Sequence, residues 1–147
     1  HRGDYALIAT TQDWHIDPGT HFSDSPDFVD TWPPHGVAGT PEAELHPALA
    51  RVNAQVSVKK GQYEAAYSGF EGTTEDGKTL EQALRDAGIT DVDVVGLAES
   101  HCVASTAIDA AHAGFATRVL SDLTVPVSEE LGKAAREKMR TEGVTLV

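Results

Sequence analysis

Short runs of apolar and β-branched residues recur along the chain, separated by longer stretches with a helical spacing of apolar positions. Runs of this kind that end at charged or turn-forming residues are typical of buried strands. They predict strands at residues 5–10, 55–60, 91–98, 117–123 and 143–147. The run DVDVVGLA at 91–98 is the strongest of them, because it is rich in β-branched residues and is bounded by acidic ones.

Helical spacing predicts helices over residues 79–88, 103–114 and 128–143. Each of these stretches ends at a glycine, the usual residue just after a helix, and Thr79 and Ser128 stand where N-caps are expected. Parallel strands need crossover connections, which helices commonly supply. The alternation of strands and helices therefore predicts an α/β fold, with three α/β/α layers around a mostly parallel sheet.

Composition and charge exclude some classes of protein without identifying a chemistry. The 147 residues contain no apolar run of about 18 residues and no signal-like segment, which predicts a soluble protein without a membrane partner. A single cysteine is typical of a reducing compartment and therefore of the cytoplasm. The formal net charge of −12 argues against a nucleic-acid partner, because phosphate binding needs clustered lysine and arginine.

The segment between the first two predicted strands, residues 11–47, has no clean period. It contains most of the prolines, both tryptophans and four of the seven histidines. A long irregular segment inside a compact domain is usually functional or disordered, and its aromatic residues argue against disorder. Its first part, TQDWHIDPGTHFSDSPDFVDTWPPHG at residues 11–36, is called the histidine loop below.

Side chains of the histidine loop predict a site for one divalent metal ion. The candidate ligands are Asp13, His15, His21 and His35. Asp13 and His15 are two residues apart, so an extended backbone points both side chains the same way. A Pro-Gly pair turns the chain back before His21, and two prolines precede His35. Nitrogen and oxygen donors without thiolates suit Zn, Fe or Mn and do not distinguish them. The alternative is that each is an ordinary polar loop residue.

The single cysteine, Cys102, lies just after the strongest predicted strand and at the start of a predicted helix, where parallel α/β sheets place their active sites. A helix N-terminus would lower the pKa of the thiol, and its free N–H groups would bind an oxyanion. The alternative is a small buried hydrophobic residue. Lys60 ends the second predicted strand at the same sheet edge, although most lysines are simply solvated. Ser100 and His101 are candidate bases, but consecutive residues point in different directions, so His101 is not expected to activate the thiol directly.

Four stretches carry a resemblance to a known family: DWHIDPGTHF (13–22), WPPHG (32–36), KKGQYEAAYSGFEG (59–72) and VVGLAESHCVASTA (94–107). In sequence, order and spacing they resemble the nicotinamidase/pyrazinamidase branch of the isochorismatase-like cysteine hydrolases, over essentially the whole chain. The resemblance implies the isochorismatase-like hydrolase fold. It also implies metal-dependent hydrolysis of nicotinamide to nicotinate and ammonia, or of pyrazinamide to pyrazinoate, through a cysteine thioester. Isochorismatases and N-carbamoylsarcosine amidases share the sheet but lack this Asp-x-His…His cluster.

The resemblance also implies a role for individual residues. For catalysis it implies Cys102 as the nucleophile, Lys60 as the catalytic lysine, and an oxyanion hole formed by the backbone N–H groups of Ala98 and Cys102 after a cis peptide bond at Leu97–Ala98. The implied substrate-binding residues are Trp32, Tyr67 and His101. The implied ligands of one divalent ion are Asp13, His15, His21 and His35.

One part of the family pattern does not occur in residues 1–147. The family's third catalytic residue is an Asp at the end of a first, central strand, in a D-x-Q-x-D-F-like stretch, and Asp4 precedes its strand and is not equivalent. We therefore expect residues 1–147 to form a single hydrolase domain that is incomplete at its N-terminus and lacks this strand. A segment before His1 would carry the Asp, and residues 1–147 alone would not fold into an active enzyme.

Several alternatives remain at the level of the sequence. A related cysteine hydrolase would act on another amide. A metallohydrolase would attack with a metal-bound hydroxide and use Cys102 only for packing. A catalytically incomplete module would bind the ring without turning it over. The sequence leaves open the metal, the preference between nicotinamide and pyrazinamide, and whether the chain forms a homo-oligomer.

Overall fold

Strands and helices alternate along the part of the chain that the structure, a computed structural model, describes: residues 2–147. The strands are β1 (Ala9–Asp13), β2 (Val56–Lys60), β3 (Asp91–Leu97), β4 (Ala116–Val125) and β5 (Thr145–Leu146), and the α-helices are α1 (Leu80–Asp86), α2 (Ala104–His112) and α3 (Glu129–Thr141). Within residues 2–147, no helix is both long enough and apolar enough to cross a bilayer.

Within residues 2–147 the pairings between the named strands are all parallel, which confirms the predicted mixed α/β class. The described strands form two sheets, with orders β1-β2 and β3-β4-β5, where the pattern of strands predicted one sheet. Among residues 2–147, β1 pairs only with β2, and β3 pairs only with β4, so no described strand joins the two sheets. The chain divides accordingly into unit 1 (His1–Ala66 and Glu71–Leu80) and unit 2 (Tyr67–Phe70 and Glu81–Val147).

The first strand begins later than its apolar run predicted. The sequence predicted a strand at 5–10, but β1 spans Ala9–Asp13 and pairs in register from Ala9 beside Val56 to Asp13 beside Lys60. The side chain of Gln55 accepts a hydrogen bond from the N–H of Ile8 at 2.9 Å, just before this ladder begins. The position of β2 therefore determines the ends of β1, and it brings the polar residues Gln12 and Asp13 into the strand.

A core in unit 2 holds the cysteine region in place. Val94 and Val119 of the sheet pack in one buried cluster with Ala104 and Ala107 of α2 and with Met139 of α3. Val119, Ala107 and Met139 are fully buried. The small residues on α2 bring that helix close to β3 and β4, so the segment between β3 and α2, which contains Cys102, is anchored at both ends.

The predicted helix ends are largely confirmed. Ser128 is the N-cap of α3, and its hydroxyl oxygen accepts a hydrogen bond from the N–H of Leu131 at 3.2 Å. Gly88, Gly114 and Gly143, which follow the three predicted helices, all have positive φ. Thr79 lies directly before α1, in an isolated antiparallel bridge with Thr73.

Candidate metal centre and cysteine turn

Three of the predicted metal ligands converge in unit 1. One ligand nitrogen from each of His15, His21 and His35, here called the histidine cluster, can be chosen so that all lie within 4.8 Å of one another. His15 and His21 are buried and His35 is half-buried. Their rings meet at centroid distances of 4.9 to 5.3 Å. Spacing along the sequence thus predicted a real spatial cluster.

Backbone hydrogen bonds fix this convergence. Beyond β1, the N–H of Trp14 donates to the carbonyl of Lys60 at 2.9 Å, and the N–H of His15 donates to the carbonyl of Gly36 at 3.0 Å. His15 is therefore held between the end of β2 and the residue that follows His35. A second backbone bond, from the N–H of Trp32 to the carbonyl of His21 at 2.9 Å, joins the two ends of the intervening stretch.

The hydrogen bonds of two histidines determine which ring nitrogen is available. Nδ1 of His15 lies 2.6 Å from the carbonyl oxygen of Gly61, and Nδ1 of His35 lies 2.8 Å from that of Pro33. A carbonyl only accepts, so each Nδ1 carries the proton, and in the neutral ring Nε2 keeps its lone pair. His15 Nε2 is buried and has no hydrogen-bond partner among the described residues.

Electrostatics also favours a neutral imidazole at His21. Burial, followed by the neighbouring His15 and His35, lowers the pKa of His21 below its ordinary value of 6.5. Neutral rings are the form that binds a metal. A buried Nε2 with a lone pair, next to two further imidazoles, is the donor set that suits a divalent transition metal such as zinc. The residues present therefore fit a metal ion.

Asp13, the fourth predicted ligand, lies beside the cluster and makes a second contact. Its Oδ2 is 3.8 Å from Nε2 of His15, and its Oδ1 accepts a hydrogen bond from the ammonium of Lys60. Lys60 is buried and also donates to the carbonyl of Ala66 at 3.1 Å. The pair follows from strand register, since Asp13 and Lys60 are opposite each other at the ends of β1 and β2. Metal ligation by Asp13 stays a prediction.

Two glycines make room for His15 and Asp13. A Cβ on Gly61 would lie 2.7 Å from Cε1 of His15, and one on Gly36 would lie 3.0 Å from Cβ of Asp13. Both glycines also have positive φ, a conformation that other residues adopt at a cost. The sequence reasoning did not identify either as part of the site. A glycine directly after a buried strand that ends in lysine was the available signal for Gly61.

Trp32 lies next to His35 of the histidine cluster, and its role in binding a substrate ring stays a prediction. Its ring centroid is 6.5 Å from that of His35. Together with Asp13, His35 and Glu42 it lines an open pocket of about 480 Å³ in unit 1. A pocket of this size accommodates a small aromatic molecule. Glu42 was not singled out from the sequence, because nothing local distinguishes it from other surface acids.

Unit 2 contains the cysteine in an unusual turn. Glu99–Val103, here called the Cys102 turn, is a short π-helix in which the N–H of Val103 donates to the carbonyl of Ala98 at 3.1 Å. The sequence predicted an ordinary helix from 103, and the structure places this wider turn before α2. Such π-helical turns are frequent at functional sites. The Leu97–Ala98 peptide bond is cis, as the family resemblance predicted.

The side chains of the Cys102 turn have separate partners. Cys102 is half-buried. Nδ1 of His101 lies 2.9 Å from the hydroxyl of Ser100, and the His101 ring lies 5.2 Å from the ring of Tyr67. Tyr67 is positioned nearby by Gly69, whose N–H donates to the hydroxyl of Thr106 on α2 at 2.9 Å. The two predicted substrate residues of unit 2, Tyr67 and His101, are thus in contact.

The chain was compared with known families and proteins. Residues 6–147 match the family described as the isochorismatase domain. The chain is 52% identical over 144 residues to the nicotinamidase/pyrazinamidase of Mycobacterium tuberculosis, covering 98% of this chain and 77% of that protein.

Solved structures of nicotinamidases and pyrazinamidases are also similar to this chain. A nicotinamidase and pyrazinamidase of Acinetobacter baumanii superposes with a TM-score of 0.85 at 33% identity, covering 99% of this chain and 79% of that one. A pyrazinamidase of Pyrococcus horikoshii in complex with zinc superposes with a TM-score of 0.75 at 34% identity, covering 96% of this chain and 74% of that one.

Proposed function

This chain belongs to the isochorismatase-domain family, and from that premise we propose that it is a nicotinamidase-type amidase. The substrate is nicotinamide, which is hydrolysed to nicotinate and ammonia, and pyrazinamide is hydrolysed to pyrazinoate in the same way. The histidine cluster carries the proposal, because the imidazoles of His15, His21 and His35 converge beside an open pocket lined by Trp32. We propose that residues 1–147 belong to a single hydrolase domain, because the family match spans residues of both units.

The histidine cluster, with Asp13 as fourth ligand, would hold one divalent ion. Such an ion supplies a fixed Lewis acid that binds a pyridine nitrogen and orients the ring. We propose zinc, because imidazole nitrogens suit it and because a related pyrazinamidase is described in complex with zinc. Trp32 provides an aromatic surface against which a pyridine ring packs.

Cys102 is the proposed nucleophile. Its sulfur attacks the carboxamide carbon, the C–N bond breaks, and the leaving nitrogen takes up the proton that the thiol has given up, so ammonia departs and a thioester remains. Water then adds to the thioester carbon and the C–S bond breaks. The hydroxyl of the water stays on that carbon and its proton returns to sulfur, which gives nicotinic acid, ionised to nicotinate, and the free thiol. The backbone N–H groups of Ala98 and Cys102 stabilise the tetrahedral oxyanion. Tyr67 and His101 contact the substrate from unit 2, and Lys60 stabilises negative charge on the reacting groups.

Two further expectations concern the location of the protein and its assembly. A free thiol that must stay reduced suits the cytoplasm, and we propose that location. Formation of a homo-oligomer is a further proposal, tested by measuring the molar mass in solution.

Replacement of the thiol tests the function directly. Cys102→Ala should abolish ammonia release from nicotinamide while fold and metal content are unchanged, because the change removes only one sulfur atom. Ser105→Ala on α2 is the matched control and should keep its activity. A Cys102→Ala variant within about tenfold of the natural rate, a difference of about 1.4 kcal/mol in the barrier, would contradict the assignment and favour attack by a metal-bound hydroxide.

A further inference from the structure

A buried acid lies at the beginning of the Cys102 turn. Glu99 follows the cis Leu97–Ala98 bond directly and is only 4% exposed. It precedes Cys102 by three residues in the same π-helical turn. A buried carboxylate is unfavourable unless it is paired and hydrogen-bonded. The turn therefore keeps this conformation only if something compensates the charge of Glu99.

Arg136 of α3 supplies that compensation. Its Nη1 lies 3.1 Å from Oε1 and 3.0 Å from Oε2 of Glu99, and the Arg136 side chain is 25% exposed. Its Nη2 contacts Glu129 at 2.8 Å, but the Glu129 side chain is 86% exposed, so that ion pair is largely screened by solvent. The interaction that matters for the turn is the one with Glu99.

The helix is shaped to let Arg136 reach the turn. Gly132 lies one helical turn earlier, and a Cβ there would be 2.7 Å from the Pro126 ring and 3.1 Å from Nη1 of Arg136. The absence of a side chain at Gly132 thus brings α3 against the end of β4 and leaves a path for the guanidinium. A second tie joins the same regions, since the N–H of Val127 donates to the hydroxyl of Ser100 at 3.1 Å.

We propose that Arg136 is a positioning residue for the nucleophile: by neutralising buried Glu99, it holds the Cys102 turn in its π-helical conformation. Arg136 touches no reacting atom and acts through Glu99. The inference rests on the proposed function in one respect, the role of Cys102 as the nucleophile.

Variants of the full-length protein that remove or restore charge at Arg136 and Glu99 test this role. Arg136→Gln leaves Glu99 without its cation, Arg136→Lys restores a cation, and the double variant Glu99→Gln/Arg136→Gln removes both charges. Arg140→Gln, an exposed arginine on the same helix, is the matched control. Two rates are measured for each variant: nicotinamide hydrolysis, resolved into kcat and KM, and alkylation of Cys102 by iodoacetamide. Thermal melts and metal content are recorded in parallel.

For Arg136→Gln we expect a kcat about tenfold lower with little change in KM or metal content, and comparably slower alkylation. Arg136→Lys should recover part of both rates. The double variant should recover most of the loss, since coupled residues are not additive. A merely structural role would lower the melting temperature and leave both rates of the folded protein unchanged.

The outcomes separate the inference from the function. The positioning role would be overturned if Arg136→Gln had the kcat and the alkylation rate of the unsubstituted protein. It would also be overturned if the double variant folded but had rates as low as those of Arg136→Gln. If Arg136→Gln does not fold, the double variant alone decides between these results. If the natural protein alkylates normally but does not hydrolyse nicotinamide, the proposed function fails, while the alkylation rates still test the role of Arg136.

Discussion

At the scale of single residues, the histidine cluster depends on groups that contribute no ligand atom. The carbonyl of Gly61 orients the His15 ring through Nδ1, and the hydrogen atom in place of a side chain on Gly61 leaves space for that ring. Hydrogen bonds of this kind fix the tautomer and the orientation of a ligating imidazole. Such supporting residues should be nearly as sensitive to substitution as the ligands themselves.

Gly61→Ala should weaken metal binding by about tenfold or more, because the new methyl group displaces the His15 ring from its carbonyl partner. Gly77→Ala is a matched control: Gly77 also has positive φ, 82° against 72° at Gly61, but a Cβ there meets nothing within 4 Å. Both variants share the backbone cost, so only the difference reports on His15. Zinc titration of the two proteins measures it, and equal affinities would contradict the proposed support.

His21 predicts how the metal-free protein responds to acid. Its folded pKa is lowered from 6.5, chiefly by burial, so the unfolded chain binds the proton more readily. The resulting stabilisation is fully present above pH 6.5 and is lost as the pH falls through the folded pKa. The free energy of unfolding should therefore decrease as the pH falls below about 6.5. In denaturant titrations His21→Gln should show a smaller decrease, and an unchanged pH dependence would refute this origin.

The ligand positions were predictable from the sequence, whereas their supports were not. Histidine spacing and turn residues indicated that His15, His21 and His35 approach one another, because local backbone geometry largely decides this. The contact of Gly61 with His15 spans 46 residues and depends on the pairing of β1 with β2. The Glu99–Arg136 pair is equally non-local, and no local pattern in the sequence marks either residue.

At the scale of elements, α3 begins where its cap predicts and connects to the Cys102 turn through Arg136. Ser128 has extended backbone angles, and its hydroxyl accepts a hydrogen bond from one of the first N–H groups of the helix. This bond satisfies a donor that the helix itself leaves unpaired. The start of α3 therefore fixes the rotational position at which Arg136 leaves the helix.

Ser128→Ala should lower the free energy of unfolding by about 1 kcal/mol through loss of the cap. Ser121→Ala, an exposed serine on β4, should change it by less than about 0.5 kcal/mol. Chemical denaturation of both variants gives the comparison. Equal effects from the two substitutions would show that the cap contributes nothing.

Elements with strong local signals were predicted well, and those set by pairing or crowding were not. β2, β3 and α3 agree with the sequence within a few residues, because alternation, β-branching or capping determines them locally. β1 was misplaced because the register against β2 outweighs its apolar run. The π-helical form of the Cys102 turn has no periodic signature, since a single five-residue turn is too short for a pattern to repeat within it.

At the scale of the whole molecule, the proposed chemistry is divided between the two units. Unit 1 contributes the histidine cluster and Lys60, and unit 2 contributes Cys102, Tyr67 and His101. The formal net charge of −12 favours the approach of a cation to either unit. The candidate metal ligands all lie in unit 1, so we expect the effect of metal binding on stability to originate there.

Zinc should raise the melting temperature, and chelation should reverse the rise. A ligand that binds only the folded state stabilises it by about 2.7 kcal/mol when present at 100 times its dissociation constant. The rise should be nearly absent in His35→Ala and intact in His112→Ala, which removes an exposed imidazole from unit 2. Thermal melts with and without zinc provide the measurement. A full zinc response in His35→Ala would exclude His35 as a ligand.

The placement of Trp14 and Trp32 has an optical consequence. They are the two tryptophans of the chain, and both lie in unit 1, within the histidine loop. Their near-ultraviolet emission therefore reports on this unit, while far-ultraviolet circular dichroism is dominated by the longer helices of unit 2. Zinc has a filled d shell and does not absorb the emitted light, whereas iron(II) quenches nearby indoles. The protein thus carries two intrinsic fluorophores beside its metal site, and they dim with one metal and not with the other.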